Sequence, residues 1–193
     1  MPQHTKLRVV LTHDCNRYCV GCCNADHNLP DLPVIDENFD YSPYTKVILT
    51  GGEPLLNVER LKDVIFQVRK TAPNAIIILY TAKTKPLKDI VDIIGMLDAI
   101  TITLHEAYDL KPFEALNQFI EETYTYEMYE RKSLRVNVFS DVGAFDWTQY
   151  PKWYCVPDKE WIEDCPLPDG ELLVQYGGAY PVKIGRGGSR AGI

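Results

Sequence analysis

Residues 6–24 read KLRVVLTHDCNRYCVGCCN, in which a short apolar run leads directly into four cysteines. The run at residues 6–11 has the length and the β-branched content of a buried strand. In parallel β/α proteins, the loops that leave the carboxyl ends of the strands carry the active site. The stretch therefore predicts a buried strand whose carboxyl end presents a cysteine-rich loop to a functional site.

Further along the chain, short apolar runs alternate with segments of helical spacing. Strands are predicted at residues 46–50, 75–80, 99–104, 134–140 and 171–176, and helices at 57–71, 87–97 and 112–131. Such alternation predicts parallel β/α units. At 193 residues the chain is shorter than a typical eight-unit barrel. The expected fold class is therefore α/β, as a partial barrel of five or six β/α units with mostly parallel strands.

The whole chain, residues 1–193, is expected to form one domain. Residues 1–144 are expected to hold the core β/α units, and residues 145–193 an irregular cap, the last strand and a mobile tail. The stretch 145–168 is rich in Trp, Tyr and Pro, a composition that predicts an irregular connection. The prolines at residues 30, 33 and 43 predict a loop over residues 24–45.

The charge and the hydropathy restrict the partners. The formal net charge is −7, and a nucleic-acid binder would need a local basic face against that background. Lys183, Arg186 and Arg190 lie in a Gly-rich tail that is expected to be solvated. The most apolar run, residues 75–80, is only strand-sized, and the first residues lack the apolar core of a signal peptide. The expectation is a cytoplasmic protein with no nucleic-acid or membrane partner.

The cysteine spacing indicates a metal site. Cys15, Cys19 and Cys22 fall within eight residues, and Cys23 follows directly. Thiolates are soft ligands that suit iron–sulfur clusters and zinc. Three thiolates can hold three irons of a [4Fe–4S] cube and leave the fourth iron open to a small molecule. The alternative is a structural zinc site that uses all four cysteines, for which the adjacent Cys22 and Cys23 make tetrahedral closure awkward.

The two remaining cysteines, Cys155 and Cys165, lie far along the chain. Together with Cys23 they would be three ligands for an auxiliary cluster, but their spacing matches no pattern typical of one. Isolated buried thiols are expected instead.

A second motif, Thr50-Gly51-Gly52-Glu53-Pro54, follows the second predicted strand. Glycines allow the backbone to approach a ligand closely, and a carboxylate beside exposed backbone groups can receive an ammonium group. The alternative is an ordinary strand-to-helix turn, with Glu53 placed favourably near the helix N-terminus.

The C-x3-C-x2-C loop after an N-terminal strand resembles the signature loop of the radical S-adenosylmethionine (SAM) superfamily. The resemblance implies that Cys15, Cys19 and Cys22 hold a [4Fe–4S] cluster and that Cys23 does not. It also implies that SAM chelates the fourth iron through its amino and carboxylate groups. One electron from the cluster would cleave SAM to methionine and a 5′-deoxyadenosyl radical, which would abstract a hydrogen atom from the substrate.

The Gly-Gly-Glu sequence resembles the motif by which this superfamily binds the amino group of SAM. The resemblance implies that Glu53 contacts the amino group and that Gly51 and Gly52 supply backbone contacts. Further contacts are expected at the ends of later strands. His105 and Asn137 are the candidates, and for each the alternative is a polar group satisfied within the protein.

One position departs from the superfamily pattern. The residue before the third cysteine is commonly aromatic and packs near the SAM adenine, whereas here it is Gly21. The form C-x3-C-x-G-C-x-N is similar to the activases of anaerobic ribonucleotide reductases. The substrate class stays open between a glycyl-radical enzyme, a small molecule as in 7-carboxy-7-deazaguanine synthase, and another small molecule or peptide. An electron donor such as flavodoxin or ferredoxin is implied. The rival class is a non-catalytic zinc or iron–sulfur binding module.

Overall fold

The computed structural model describes residues 4–19, 21–22, 24, 31–125, 131–162 and 166–177. Within them, eight strands form one sheet in which every hydrogen-bonded pair of strands is parallel. The strands are β1 (Lys6–Val10), β2 (Val34–Ile35), β3 (Lys46–Thr50), β4 (Ile76–Thr81), β5 (Ala99–Leu104), β6 (Ser133–Phe139), β7 (Tyr154–Lys159) and β8 (Glu171–Tyr176). The helices are α1 (Val58–Thr71), α2 (Leu87–Ile94) and α3 (Leu110–Thr123).

The strand order across the sheet is β2-β8-β1-β3-β4-β5-β6-β7. From β3 to β7 the order follows the chain, as expected for successive β/α units. The last strand, β8, returns to the other side of β1 and pairs with both β1 and β2. This all-parallel α/β sheet confirms the predicted fold class and is compatible with a partial barrel.

The two faces of the sheet differ because side chains alternate along each strand. On one face, Leu7 and Val9 of β1 and their counterparts on neighbouring strands pack with the helices in one buried core. The helices contribute to that core Leu61, Val64, Ile65 and Val68 from α1, Ile90 and Ile93 from α2, and Phe113, Leu116 and Ile120 from α3. The opposite face carries Arg8 on β1 and both Arg135 and Asn137 on β6. The apolar face stabilises the sheet, and the polar face is left for a ligand.

The helix boundaries follow local chemistry. Asn57 lies at the predicted start of α1 but serves as its cap, because its side chain accepts a hydrogen bond from the backbone N–H of Arg60 at 3.0 Å. Arg69 and Lys70 in the last turn complement the helix dipole. Helix α2 ends at Ile94, three residues earlier than predicted, and Gly95 follows it. Helix α3 ends at Thr123, and residues 126–130 of the predicted helix lie outside the described part of the chain.

Strand β7 lies within the stretch that the sequence predicts to be irregular. It contains Pro157, a residue with no backbone N–H to donate, and Asp158, which has a φ of 50°. The pairing of β7 with β6 is correspondingly shifted between Asn137 and Phe139. A strand tolerates such features at the edge of a sheet, where one side needs no partner, and β7 is an edge strand.

None of the helices in the described residues has the length and apolarity needed to cross a lipid bilayer. The basic residues of the tail, at positions 183, 186 and 190, lie outside the described residues.

Candidate functional site

The cysteine loop and the Gly-Gly-Glu motif are joined directly by backbone hydrogen bonds. The N–H of Gly52 donates to the carbonyl oxygen of Thr12 at 2.7 Å, and the N–H of Glu53 donates to that of Asp14 at 2.8 Å. These bonds extend the parallel pairing of β1 and β3 past the ends of both strands. The motif therefore lies against the residues that immediately precede Cys15.

The two glycines make this close approach possible. A Cβ atom at Gly52 would lie 2.0 Å from the carbonyl oxygen of Asp14, and one at Gly51 would lie 2.6 Å from that of Thr12. Gly51 also has a φ of 141°, a conformation that other residues rarely adopt. A side chain at either position would push the two loops apart.

The cysteine loop is also tied to the opposite side of the site. The guanidinium of Arg17, between the first two cysteines, donates to the carboxylate of Asp109 and, at 3.0 Å, to the carbonyl oxygen of Ala82. The other carboxylate oxygen of Asp109 accepts from the backbone N–H groups of His105 (2.8 Å) and Glu106 (3.1 Å). The sequence analysis did not predict this ion pair. The only feature of the sequence that indicates it is the single arginine in the cysteine loop.

We expect Asp109→Ala to lower the free energy of unfolding of the metal-free protein by about 3–5 kcal/mol, because Arg17 would stay buried without its partner. The exposed pair of Glu59 and Lys62 is the matched control, and Glu59→Ala should cost less than about 1 kcal/mol. Urea denaturation of both variants measures the difference. Equal stabilities would contradict the anchoring role of Asp109.

The three thiols of the loop influence one another. Taken over all its atoms, Cys15 is exposed to solvent, whereas Cys19 and Cys22 are half-buried. Partial burial of its sulfur raises the pKa of Cys15, and the charges of Glu53 and Cys22 act in the same direction. Burial and then repulsion from Cys22 and Cys15 raise the pKa of Cys19 to about 11. Deprotonation of Cys15 and Cys19 would therefore be favoured by a positively charged centre beside them.

Among the described residues, no group of three or more His, Cys, Asp or Glu side chains is arranged to hold a single metal ion. A zinc ion requires its sulfur ligands at about 2.3 Å from one centre. An iron–sulfur cube instead takes each thiolate at a different iron. The four-cysteine zinc alternative includes Cys23, which lies outside the described residues.

Comparison with protein families identifies the metal centre. A family model described as a 4Fe–4S single cluster domain matches residues 5–119, which is more than half of the chain. The chain belongs to this family. The match begins just before β1, ends within α3 and includes both the cysteine loop and residues 51–53. No match to the chain was found among curated proteins.

In this 4Fe–4S single cluster domain, Cys155 is the cysteine outside the loop that the structure describes. Cys155 lies half-buried on β7, with its sulfur 3.6 Å from the carbonyl oxygen of Trp153. Cys23 and Cys165 lie outside the described residues. The family description names a single cluster, and the assignment of Cys15, Cys19 and Cys22 as its ligands stays a prediction.

The carboxylate of Glu53 in the 4Fe–4S single cluster domain is almost fully buried, at 1% exposure. It accepts hydrogen bonds from the hydroxyl of Thr81 (2.6 Å) and from the backbone N–H groups of Leu55 and Ala82 (both 3.0 Å). Burial raises the pKa of Glu53, and these hydrogen bonds oppose that shift. The carboxylate caps the turn at residues 54–56, as the simpler interpretation of the motif predicts. Its contact with an ammonium group stays a prediction.

A cavity of about 800 Å³ opens beside the cysteine loop of this domain. Cys19 lines it together with three stacked rings: His105 lies 4.9 Å from Phe139 and 5.4 Å from Trp161, centroid to centroid. Burial, followed by the charge of Arg17, lowers the pKa of His105, and its buried Nδ1 atom has no hydrogen-bond partner. The structure therefore places His105, a predicted SAM contact, beside the cysteine loop. Its Nδ1 atom is the polar atom without a hydrogen-bond partner.

Trp161 fills the space beside Gly21. A Cβ atom at Gly21 would lie 3.2 Å from Cβ and Cγ of Trp161, and Gly21 has a φ of 71°. The aromatic ring next to the third cysteine thus comes from the segment after β7, and not from position 21. The sequence shows the glycine but does not show which distant ring replaces the missing side chain.

Asn137, the other predicted contact, lies elsewhere. It lines a separate cavity on the polar face of the sheet, and its Oδ1 atom accepts a hydrogen bond from Nε of Arg135 at 3.0 Å. Its role toward SAM stays a prediction.

The raised pKa of Cys19 predicts a pH dependence for the 4Fe–4S single cluster domain without its cluster. With a pKa of about 11, the thiol is protonated at neutral pH, so alkylation by iodoacetamide should be slow at pH 8 and should rise as the pH approaches 11. Cys22→Ala removes a charge that raises this pKa, so the profile should move to lower pH. Peptide mass spectrometry measures each site. A Cys19 rate that is already maximal at pH 8 would contradict this prediction.

Proposed function

We propose that the chain is a radical SAM enzyme. The observation that carries the proposal is the pair of hydrogen bonds from Gly52 and Glu53 to Thr12 and Asp14, which hold the Gly-Gly-Glu motif against the cysteine loop. Two motifs that are separated in sequence and have the expected chemistry are thereby adjacent in space.

When bound, the [4Fe–4S] cluster supplies one electron that breaks a carbon–sulfur bond of SAM, giving methionine and a 5′-deoxyadenosyl radical that takes a hydrogen atom from the substrate. The chain's residues hold and orient the reactants. Cys15, Cys19 and Cys22 provide three thiolates, so one iron is left without a ligand from the loop. An amino acid ligand can occupy that position with its amino and carboxylate groups.

Glu53 is suited to hold the amino group of SAM. An ionised carboxylate has about four acceptor sites, and the turn uses three of them through Thr81, Leu55 and Ala82. These bonds fix the orientation of the carboxylate, and one site is left for an ammonium group. Gly51 and Gly52 allow the motif to pack against the backbone of Thr12 and Asp14, next to Cys15.

The aromatic rings of His105, Phe139 and Trp161 are suited to the adenosyl end of SAM. They lie on the side of the cluster loop that Cys19 faces and line a cavity large enough for a nucleoside. The unpartnered Nδ1 of His105 would gain a hydrogen bond from the ligand. A one-electron donor such as flavodoxin or ferredoxin would deliver electrons at the exposed side of the loop, near Cys15, and the substrate would be a small molecule or a peptide.

Anaerobic reconstitution with iron and sulfide tests the proposal. The expected result is a brown protein that forms 5′-deoxyadenosine from SAM only when dithionite is present. A mixture without dithionite and one with zinc in place of iron are the controls. A reconstituted protein that holds its cluster and still forms no 5′-deoxyadenosine, or a colourless protein that retains only zinc, would refute the assignment.

A further inference from the structure

A second cavity, of about 370 Å³, lies on the polar face of the sheet. Its polar lining comes from Asn24 and from five strands: Arg8 on β1, Thr50 on β3, Tyr80 on β4, Arg135 and Asn137 on β6, and Lys159 on β7. Apolar side chains at residues 162, 167 and 173 complete it. The volume is in the range of small-molecule sites, and the lining combines an apolar surface with cations.

The first of these cations is neutralised within the protein. Arg8 forms an ion pair with Glu171 at 2.8 Å and lies over the ring of Tyr80, 5.1 Å from its centroid. It therefore contributes little net charge to the cavity.

Among the described residues, Arg135 has no such counter-charge. Its Nε donates to Asn137 at 3.0 Å, and its guanidinium lies over the ring of Tyr154, 5.5 Å from the centroid. Because a guanidinium has five N–H donors, the terminal nitrogens keep donors for which the described residues provide no acceptor. The bond to Asn137 and the stacked ring hold the guanidinium in a fixed plane, which is the geometry that binds an oxyanion through two parallel hydrogen bonds.

Lys159 supplies a second uncompensated charge. It is half-buried at the end of β7. In the part of the chain that the structure describes, no carboxylate lies within 4.0 Å of its ammonium group or of Arg135. Removing two cations from water without a partner among the described residues costs free energy of desolvation. A bound anion would offset that cost.

The cavity borders the Gly-Gly-Glu motif without including its three residues. Thr50 and Asn24 line it, and the side-chain amide of Asn24 donates to the carbonyl oxygen of Gly51 at 2.7 Å. A ligand in this cavity would thus lie next to the motif that we propose to hold SAM.

We propose that this cavity binds the substrate of the enzyme, and that the substrate is a small organic anion whose carboxylate or phosphate group is held by Arg135 and Lys159. The identification of the ligand as the substrate rests on the proposed function. The anion site itself rests only on the residues that line the cavity. The apolar side chains opposite the cations would contact the organic part of the ligand, and Asn137 would keep the guanidinium in position.

Isothermal titration calorimetry on the reconstituted protein tests the site with three probes of similar size: benzoate, phenyl phosphate and the neutral benzamide. At least one of the two anions should bind more tightly than benzamide, and the tighter of the two identifies the oxyanion. Arg135→Gln and Lys159→Gln should each weaken that anion by about tenfold, the loss expected for one charge-assisted hydrogen bond. Lys111→Gln removes the same charge from an exposed position on α3 and should leave the affinity unchanged.

Three outcomes would overturn the proposal: no preference for either anion over benzamide, an affinity that both cavity variants leave unchanged, or a parallel loss of SAM affinity in the same variants. The last would mean that the cavity holds the carboxylate of SAM and not a substrate. Anion binding without 5′-deoxyadenosine formation would instead keep the anion site and reject the radical SAM assignment, so the two proposals fail separately.

Discussion

Gly52→Ala is expected to destabilise the metal-free protein by about 1–3 kcal/mol or more and to prevent normal cluster uptake. The added Cβ would lie 2.0 Å from the carbonyl oxygen and 2.6 Å from the carbonyl carbon of Asp14. Backbone atoms cannot move aside as a flexible side chain can, so the hydrogen bonds that join the motif to the cysteine loop would break. Urea denaturation and iron content after reconstitution measure the two effects.

Gly95→Ala is the matched control. Gly95 follows α2 with helical dihedral angles, and no atom lies within 4 Å of a Cβ built there. Alanine at such a position should leave the stability unchanged or raise it by about 0.4–1 kcal/mol, and iron content should stay at the level of the unaltered protein. A Gly52→Ala protein that matched Gly95→Ala in both measurements would show that the two loops are not held together as described.

Single replacements of Cys15, Cys19 or Cys22 by alanine are expected to reduce 5′-deoxyadenosine formation at least about a hundredfold, because even residues that only support a metal ligand cost 10–100-fold in affinity or activity. Each variant leaves two thiolates for a cluster that needs three. The brown absorbance and the bound iron should fall in parallel. Cys155→Ala, which removes a half-buried thiol on β7, should retain both.

A comparison of iron content and activity among the three cysteine variants is as informative as the size of each loss. Loss of iron in all three indicates one shared cluster. A variant that kept full iron and full activity would remove that cysteine from the ligand set, and equal losses in Cys155→Ala would show that the thiols act through protein stability and not through the cluster.

The sequence predicts the sheet well where strands are local and apolar. Strands β3, β5 and β8 have the predicted boundaries, β1 ends one residue earlier than predicted, and β4 and β6 are shifted by one residue at both ends. The position of β8 between β1 and β2 was not predictable, because its pairing with β1 joins residues more than 160 positions apart. Strand β7 was missed because Pro157 and the polar residues around it lack the pattern of a buried strand.

In the candidate site, too, the contacts that follow from neighbouring strands were predictable and the contacts between distant residues were not. The adjacency of the cysteine loop and residues 51–53 follows from two parallel strands that end at the same edge of the sheet. The ion pair of Arg17 and Asp109 joins residues 92 positions apart, and nothing in local spacing indicates it. The same holds for Trp161 beside Gly21, since the sequence shows that a side chain is absent but not which ring replaces it.

Electron paramagnetic resonance of the dithionite-reduced protein, recorded with and without SAM, tests most directly whether one iron is open beside the Gly-Gly-Glu motif. Binding of the amino and carboxylate groups of SAM to that iron should change the spectrum of the reduced cluster. The change should be lost in Gly52→Ala and kept in Gly95→Ala at equal cluster content. A spectrum that SAM leaves unaltered in the intact protein would contradict the account.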